Sequence, residues 1–217
     1  MQGEIIHERG ASVQLIPPAS YESDTTRRYP LLFVLEPDLQ AQEWTRKLLG
    51  EGVLPEIMVA TLTTRGDTPS PVAWIHRLTR ELRLLDSPGA RWIIGTAHSA
   101  VTAMNAVLDD PELFGKAACL STSFEGNEGA PPLHSPVLRS LEDRRALPGT
   151  GRLYFDYGST GLDECYEPYH RDLGGILRGK GWREGREFQV VRTREGSHDP
   201  ASWIARLGTA LRWLAAS

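Results

Sequence analysis

Seven short apolar runs, rich in Val, Ile, Leu and Phe, recur along the sequence and alternate with stretches of helical periodicity. The central runs are continuous rather than alternating, which is typical of strands that are covered on both faces. Such an alternation of strands and helices predicts an α/β protein with a mainly parallel central sheet and helices on both faces. The predicted strands are Val13 to Ile16, Leu31 to Leu35, Ile57 to Leu62, Trp92 to Gly95, Ala117 to Ser121, Leu153 to Tyr157 and Phe188 to Val191.

The segments between these runs include amphipathic helices. Trp74, Leu78, Leu82 and Leu85 recur at spacings that place them on one helical face. The length of 217 residues predicts a single domain over residues 1–217. The stretch 124–151 is rich in Gly, Pro and Ser, and we expect an irregular excursion there. No segment is long enough for a large cap domain, so any site should be an open cleft.

The charge balance limits the classes of partner. There are 24 Lys and Arg against 28 Asp and Glu, a formal net charge of −4. A nucleic acid or a membrane surface needs a basic footprint, so neither is expected as a partner. No apolar run approaches the ~18 residues of a membrane span, and the N-terminus shows no signal-peptide pattern. The cytoplasm is therefore the predicted location, and the sequence leaves a homodimer open.

Three loops that follow predicted strands carry the candidate chemistry, because ligands of open parallel sheets collect at the carboxyl ends of the strands. The first loop, Gly95-Thr-Ala-His-Ser99, is a run of small residues between a strand and a helix. Small residues allow a sharp strand-to-helix turn, the architecture of a nucleophile elbow. Counted from Gly95, the middle position of this elbow is Ala97. The alternative nucleophile is Ser99.

The other two loops supply an acid and a base. The second follows the strand that ends at Tyr157, is rich in Gly, and carries Asp163 and Glu164, either of which can orient a histidine. The third carries His198 directly before the last helix, where Asp199 is a candidate helix cap. The order of elbow, acid and histidine along the chain is the order that α/β-hydrolases use.

Three sets of motifs resemble one family. Leu15 to Tyr21, followed by Tyr29 to Leu35, resembles a strand, a "PxxY" motif and a "YPvlyllDG" motif. Arg91 to Gly95, followed by Asp110 to Phe114, resembles "RxIxGxSxGG…hPelF". Gly196 to Trp203 resembles "GGHDxxxW". The sequence is therefore similar to the esterase branch of the α/β-hydrolase superfamily, which includes esterase D, enterochelin-esterase-like enzymes, feruloyl and acetyl-xylan esterases and the mycolyltransferases.

The resemblance implies an α/β-hydrolase fold and a catalytic triad. It places the family's nucleophilic serine at Ala97, since a shift to Ser99 would break the spacing to the second half of the motif. It implies Asp163 as the triad acid, with Glu164 in reserve, and His198 as the base. The implied activity is that of a serine esterase or lactone hydrolase that forms an acyl-enzyme and needs neither a metal nor an organic cofactor.

The family's two oxyanion donors carry over in part. One is the backbone N–H that follows the nucleophile, which belongs here to His98. The other follows the third-strand motif, where Pro37 replaces the usual glycine and has no N–H to donate. The second donor is therefore expected at Asp38 or Leu39.

The alanine at the elbow leaves two explanations open, because it has no atom that can attack an ester and no acyl-enzyme can form on it. The chain is either a serine-to-alanine variant of an active esterase or a natural, non-catalytic binding protein on the same scaffold. An acyltransferase, which shares the acyl-enzyme but prefers another acceptor to water, is a third interpretation of the parent chemistry.

The expected ligand is a small-molecule ester or lactone, since an open cleft suits bulky polar substrates. Arg65 follows a strand and either lines the cleft or lies in a solvated loop. Ser121 and Ser123 come at the end of the predicted strand Ala117 to Ser121 and just after it, and they are candidate pocket-wall residues. Tyr157 lies beside the acid loop, where it would flank an aromatic or macrocyclic substrate. No pair of histidines has the spacing of metal ligands, so no metal site is expected.

Overall fold

The architecture rests on one eight-stranded sheet. The computed structural model describes residues 5–8, 11–35, 50, 52, 54, 56–64, 71–124 and 135–216. The strand order is β1-β2-β4-β3-β5-β6-β7-β8, in which β3 to β8 pair in parallel and β1 and β2 pair antiparallel. The strands are β1 (Ile5–Glu8), β2 (Ala11–Ile16), β3 (Leu31–Val34), β4 (Met58–Thr64), β5 (Arg91–Thr96), β6 (Lys116–Leu120), β7 (Arg152–Gly158) and β8 (Phe188–Thr193).

All seven predicted strands are present, so the mainly parallel sheet is confirmed. Sequence analysis missed β1, which has four residues and pairs only with β2 at the edge of the sheet. Edge strands are commonly short and carry polar residues, as His7 and Glu8 do here, and they therefore lack the continuous apolar signal of the central strands.

The helices cover both faces of the sheet. The side chains of Leu31 and Phe33 lie in the same core cluster as α1 to α4, whereas those of Leu32 and Val34 lie in a second cluster with α5. This alternation follows from the two-residue period of a strand. The described helices are α1 (Pro71–Glu81), α2 (Ala97–Asp109), α3 (Pro136–Asp143), α4 (Glu167–Gly179) and α5 (Pro200–Ala215), with 3₁₀ helices at Pro88–Ala90 and Gly161–Tyr166.

Two predictions about helices were wrong in detail. Helix α1 ends at Glu81, so Leu82 and Leu85 do not extend its apolar face, and Leu85 is exposed. The stretch 124–151 is not irregular throughout, since it contains α3. Ser135 caps α3 by accepting a hydrogen bond from the Leu138 N–H at 3.1 Å. The Ser-Pro pair thus starts a helix here rather than marking a loop.

The order of the strands brings four loops to one edge of the sheet. Strands β5, β6, β7 and β8 are consecutive neighbours and run in the same direction. Ala97, Ser121, Asp163 and His198 follow the carboxyl ends of these four strands in that order. The predicted elbow, acid and base therefore share one edge. None of the helices in the described ranges is long and apolar enough to cross a bilayer.

Candidate active site

Ala97 lies at a strained turn between β5 and α2. Its φ angle is +47°, in the left-handed region that non-glycine residues rarely adopt. Such a conformation costs about 1–2 kcal/mol for a residue with a Cβ atom. Strain of this kind is typical of functional turns that must present one side chain. The geometry is that of the predicted elbow, with Ala97 at its tip.

Gly95 makes this turn sterically possible. A Cβ atom at position 95 would lie 2.2 Å from the carbonyl oxygen of Ser99 and 2.7 Å from the backbone nitrogen of Ala100. Both neighbours are main-chain atoms of α2, so they cannot rotate away. Glycine is required because the first turn of α2 lies directly against the end of β5.

The alternative nucleophile, Ser99, has its hydroxyl engaged with the backbone. Its Oγ accepts a hydrogen bond from the Thr96 N–H and donates one to the Thr96 carbonyl, both at 2.8 Å. This arrangement fixes the start of α2 and favours Ala97 as the nucleophile position. His98 lies between them with an exposed side chain. Its N–H belongs to the first turn of α2, where N–H groups have no acceptor within the helix.

Asp163 is the acid that meets the histidine. Its Oδ1 lies 2.8 Å from Nδ1 of His198, and its Oδ2 accepts hydrogen bonds from the Ser121 hydroxyl at 2.5 Å and the Gly158 N–H at 2.7 Å. Burial alone would raise the pKa of Asp163, but the hydrogen bonds from His198, Ser121 and Gly158 outweigh it and lower the pKa. The carboxylate is therefore ionised at neutral pH. The alternative acid, Glu164, is exposed.

His198 is oriented from three sides. Its Nδ1 faces Asp163, which leaves Nε2 as the nitrogen that can accept a proton. The edges of two aromatic rings contact the imidazole, with centroid distances of 5.6 Å for Tyr166 and 5.1 Å for Trp203. Asp199, next in the chain, accepts the Ser202 N–H at 2.9 Å and caps α5, as predicted. The helix start thus holds the loop that carries the base.

Two glycines lock the acid loop against the histidine loop. A Cβ atom on Gly158 would lie 2.0 Å from the carbonyl oxygen of Gly196. That oxygen accepts the Ser159 N–H at 2.9 Å, the Thr160 N–H at 3.1 Å and the Thr160 hydroxyl at 2.8 Å. The backbones therefore touch here, which fixes the separation of Asp163 and His198.

A chain of contacts joins the elbow to the Asp163–His198 pair. The Ser123 N–H donates to the carbonyl oxygen of Ala97 at 3.1 Å. The Ser123 hydroxyl lies 3.3 Å from the Tyr166 hydroxyl, and the Tyr166 ring contacts His198. Ser123 is half-buried beside the elbow.

Two residues expected to line the cleft are buried instead. Ser121 is fully buried, and its hydroxyl is bonded to Asp163 and to the Trp203 Nε1–H, which donates at 2.9 Å. Tyr157 is buried and stacks on His170 with a centroid distance of 4.4 Å. Both side chains are drawn inward because buried polar and aromatic partners are available there. Asp38, Leu39 and Arg65 lie outside the described residues.

Sequence analysis missed Arg206, which is 4% exposed in α5. Its guanidinium lies 3.4 Å from Oδ2 of Asp163 and 3.2 Å from Oδ2 of Asp156, a fully buried acid of β7. Burial raises the pKa of Asp156 to about 7 against the opposing charge of Arg206. The signal available in the sequence was a charged residue among the apolar residues of α5. Within the described ranges no cluster of His, Cys, Asp and Glu could hold a metal ion.

These groups suit one kind of chemistry. A histidine, oriented by a buried carboxylate, lies at the same edge of the sheet as the turn at residue 97, and contacts of Ser123 and Tyr166 link the two. Such a pair can take a proton from a nucleophile at the turn and return it to a leaving group. The methyl group of Ala97 supplies no proton and no nucleophile.

No family model and no curated protein matches the sequence. Solved structures do match. An enterochelin esterase from Shigella flexneri superposes with a TM-score of 0.78 at 17% identity, over 100% of this chain and 59% of that one. A ferulic acid esterase gives 0.75 at 13%, over 97% and 96%. The S-formylglutathione hydrolase of Staphylococcus aureus gives 0.71 at 13%, over 98% and 97%. These likenesses confirm the α/β-hydrolase fold that the resemblance implied.

Proposed function

We propose that this chain is built as a serine carboxylic-ester hydrolase in which Ala97 occupies the position of the nucleophile. One observation carries the proposal: the strained elbow at Ala97 and the Asp163–His198 hydrogen bond occur together at one edge of the sheet. Burying an ionised carboxylate against a histidine has a desolvation cost. Beside a nucleophile the pair has a function, because the carboxylate orients the histidine that takes the proton. The names of the structural neighbours also support an ester as substrate.

The parent reaction follows from the roles of the residues. A serine at position 97 attacks the ester carbonyl while its proton passes to Nε2 of His198. Asp163 holds the imidazole in that tautomer and stabilises its charged form. The tetrahedral oxyanion receives hydrogen bonds from the His98 N–H and from a second N–H expected at Asp38 or Leu39. His198 then protonates the leaving alcohol, and water, deprotonated by His198, hydrolyses the acyl-enzyme.

With alanine at position 97 the covalent step is absent. The chain should still bind an ester or lactone, because the groups that hold the substrate do not depend on the missing hydroxyl. Loss of a triad serine lowers turnover on the order of a millionfold and leaves only the rate due to binding and oxyanion stabilisation. The presence of Ala97 favours a second candidate, a non-catalytic binding protein on the same scaffold.

Restoring the nucleophile tests the proposal. Ala97→Ser should hydrolyse p-nitrophenyl acetate and simple lactones, and a fluorophosphonate probe should label it. Two matched controls share this background: adding Ser99→Ala should preserve labelling, and adding His198→Ala should abolish it. A folded Ala97→Ser protein that stays unlabelled and inert would favour the binding protein. Product analysis with competing alcohols separates hydrolysis from acyl transfer.

A further inference from the structure

A single arginine connects the groups behind the triad acid. The Arg206 Nη2 donates to the Ser121 hydroxyl oxygen at 2.6 Å and lies 3.4 Å from Oδ2 of Asp163. The opposite side of the guanidinium meets Asp156, with Nε 3.2 Å from Oδ2. Its Nη1 donates to the Ser202 hydroxyl at 3.1 Å, and so ties the cluster to the first turn of α5.

Burial of the Arg206 guanidinium is unfavourable unless other groups compensate its charge. Moving an ionised side chain out of water is unfavourable even after the surrounding groups relax. Asp156 makes no hydrogen bond with its carboxylate oxygens in the described structure, although Arg206 lies beside it. Asp156 thus lies against the guanidinium on the side away from Asp163 and helps to hold it in place. The arrangement fixes the position of Arg206 but leaves the carboxylate oxygens of Asp156 without hydrogen bonds from the described residues.

The hydroxyl of Ser121 turns that position into an orientation. A serine hydroxyl has one hydrogen to donate and two lone pairs that accept. Arg206 and the Trp203 Nε1–H each donate to this oxygen, at 2.6 Å and 2.9 Å. Both lone pairs are therefore taken, and the one hydrogen is directed to Asp163 Oδ2 at 2.5 Å. Ser121 also holds a φ of +45°, a strained backbone that points to a functional constraint.

We propose that Arg206 is a positioning residue of the triad: it fixes the Ser121 hydroxyl as a donor to Asp163, which leaves Oδ1 of Asp163 for His198. This inference rests on the proposed function for its catalytic meaning. The direction of the Ser121 hydrogen is a property of the folded chain, and it holds with alanine at position 97. Asp156 serves as the anchor of the guanidinium.

Four variants in the Ala97→Ser background test the role by activity. Arg206→Met should lower kcat about 100-fold, the effect of misplacing a catalytic group by about 1 Å, while KM changes less than about twofold. Arg206→Lys keeps the charge and should restore part of kcat. Arg206→Met/Asp156→Asn removes both buried charges together and keeps the test valid if the single variant does not fold. Arg212→Met, an exposed arginine on the same helix, is the matched control and should behave as the parent.

The pH profile separates a positioning role from a merely structural one. Removing the positive charge beside Asp163 leaves the negative charge of this carboxylate less compensated at the site. The acidic limb of kcat/KM should therefore move to higher pH in Arg206→Met and stay with the parent in Arg206→Lys. Folded Arg206→Met protein with the acidic limb of the parent, or folded Arg206→Met/Asp156→Asn protein with the kcat of the parent, would overturn the proposal.

The same variants in the chain as it stands, with Ala97, give an arm that needs no activity. The downfield proton resonance of the His198 Nδ1–H reports its hydrogen bond to Asp163. We expect this resonance in the parent and in Arg212→Met, and its loss or upfield shift in Arg206→Met/Asp156→Asn. An unchanged resonance overturns the proposal even if Ala97→Ser is inert, whereas a shifted resonance beside an inert Ala97→Ser protein overturns only the esterase.

Discussion

The two ends of the sheet use cations in different ways. At the carboxyl end, Arg206 lies between the side-chain carboxylates of Asp156 and Asp163. At the amino end, the Lys116 ammonium donates to the carbonyl oxygen of Leu214 at 2.7 Å, and Arg152 donates to that of Ala216. The cations at the amino end therefore cap the end of α5, a structural role that helix termini commonly require.

The amino end contains a large groove, and the carboxyl end carries the backbone strain. A groove of about 1310 Å³, with Trp92 and Trp213 among its walls, lies at the amino end. Three described non-glycine residues have a positive φ, Ala97, Ser121 and Glu195, and all follow carboxyl ends of strands. We place the chemistry at the strained end. Volume alone marks a space between elements, whereas backbone strain marks a geometry that the fold maintains at a cost.

The largest expected effect tests that assignment directly. In the Ala97→Ser background, His198→Ala should lower kcat by about 10⁴- to 10⁶-fold, because the base that activates the nucleophile is lost. Arg152→Met at the other end should leave kcat within about twofold. Steady-state kinetics on p-nitrophenyl acetate measure both. A comparable loss from Arg152→Met would place the chemistry at the amino end of the sheet instead.

A pair of glycine substitutions compares the tightness of the two ends. Gly158→Ala places a Cβ atom against the Gly196 carbonyl, and we expect a loss of about 2–3 kcal/mol in the free energy of unfolding. Gly149→Ala lies beside the amino-end groove with no atom within 4 Å of the new methyl group, and it should change stability by less than about 1 kcal/mol. Denaturant unfolding measures both, and equal losses would contradict the difference in packing.

Asp156 should give the carboxyl end a distinctive dependence on pH. Its pKa is raised from 3.8 to about 7, chiefly by burial, so the folded protein keeps a proton that the unfolded chain loses above about pH 4. Its contribution to stability therefore falls as the pH rises from about 4 to about 7 and is level above that. Asp156→Asn should flatten this part of the curve relative to the parent.

The control for that curve is an acid at the amino end. Asp86 lies beside the groove with an exposed side chain, and Asp86→Asn removes no buried carboxylate. The free energies of unfolding of Asp86→Asn and Asp156→Asn are measured in urea across the same pH range. An Asp156→Asn curve that runs parallel to that of the parent would show that Asp156 ionises as freely in the fold as in the unfolded chain.

The smallest effect belongs to the caps of α5. Lys116→Met removes a cation from the carbonyl of Leu214, and the expected loss of stability is about 0.5 kcal/mol, typical of a charge at a helix terminus. The kcat of the Ala97→Ser background should not change. Thermal unfolding and esterase assays measure the two quantities, and a fall in kcat without a fall in stability would link the amino end to catalysis.

The sequence predicted those parts of the molecule that depend on local patterns. The central strands carry continuous apolar runs, and the loops after them carry the elbow, Asp163 and His198. Strand β1 and helix α3 escaped prediction because an edge strand has a weak apolar signal and a Ser-Pro start resembles a loop. Both elements are short, so only a few residues determine whether each one forms.

The support behind the acid could not be predicted because it depends on contacts between distant residues. Ser121 was expected on a cleft wall, and only its contacts with Asp163 and Trp203 show that it faces inward. Arg206 follows Trp203 by one helical turn of α5. Its partner Asp156 is 50 positions earlier in the chain and lies on strand β7. No local period relates these positions.

The place of Arg206 in α5 has a consequence for biosynthesis. Ribosomes release a chain from its N-terminus, so the elbow, Asp156 and Asp163 all emerge before the helix that carries the guanidinium. Until α5 docks, the carboxylates of Asp156 and Asp163 lack the contacts that Arg206 makes with them in the folded chain. A nascent chain therefore completes the hydrogen bonds that order Asp163 only after the helix that carries Arg206 has been synthesised.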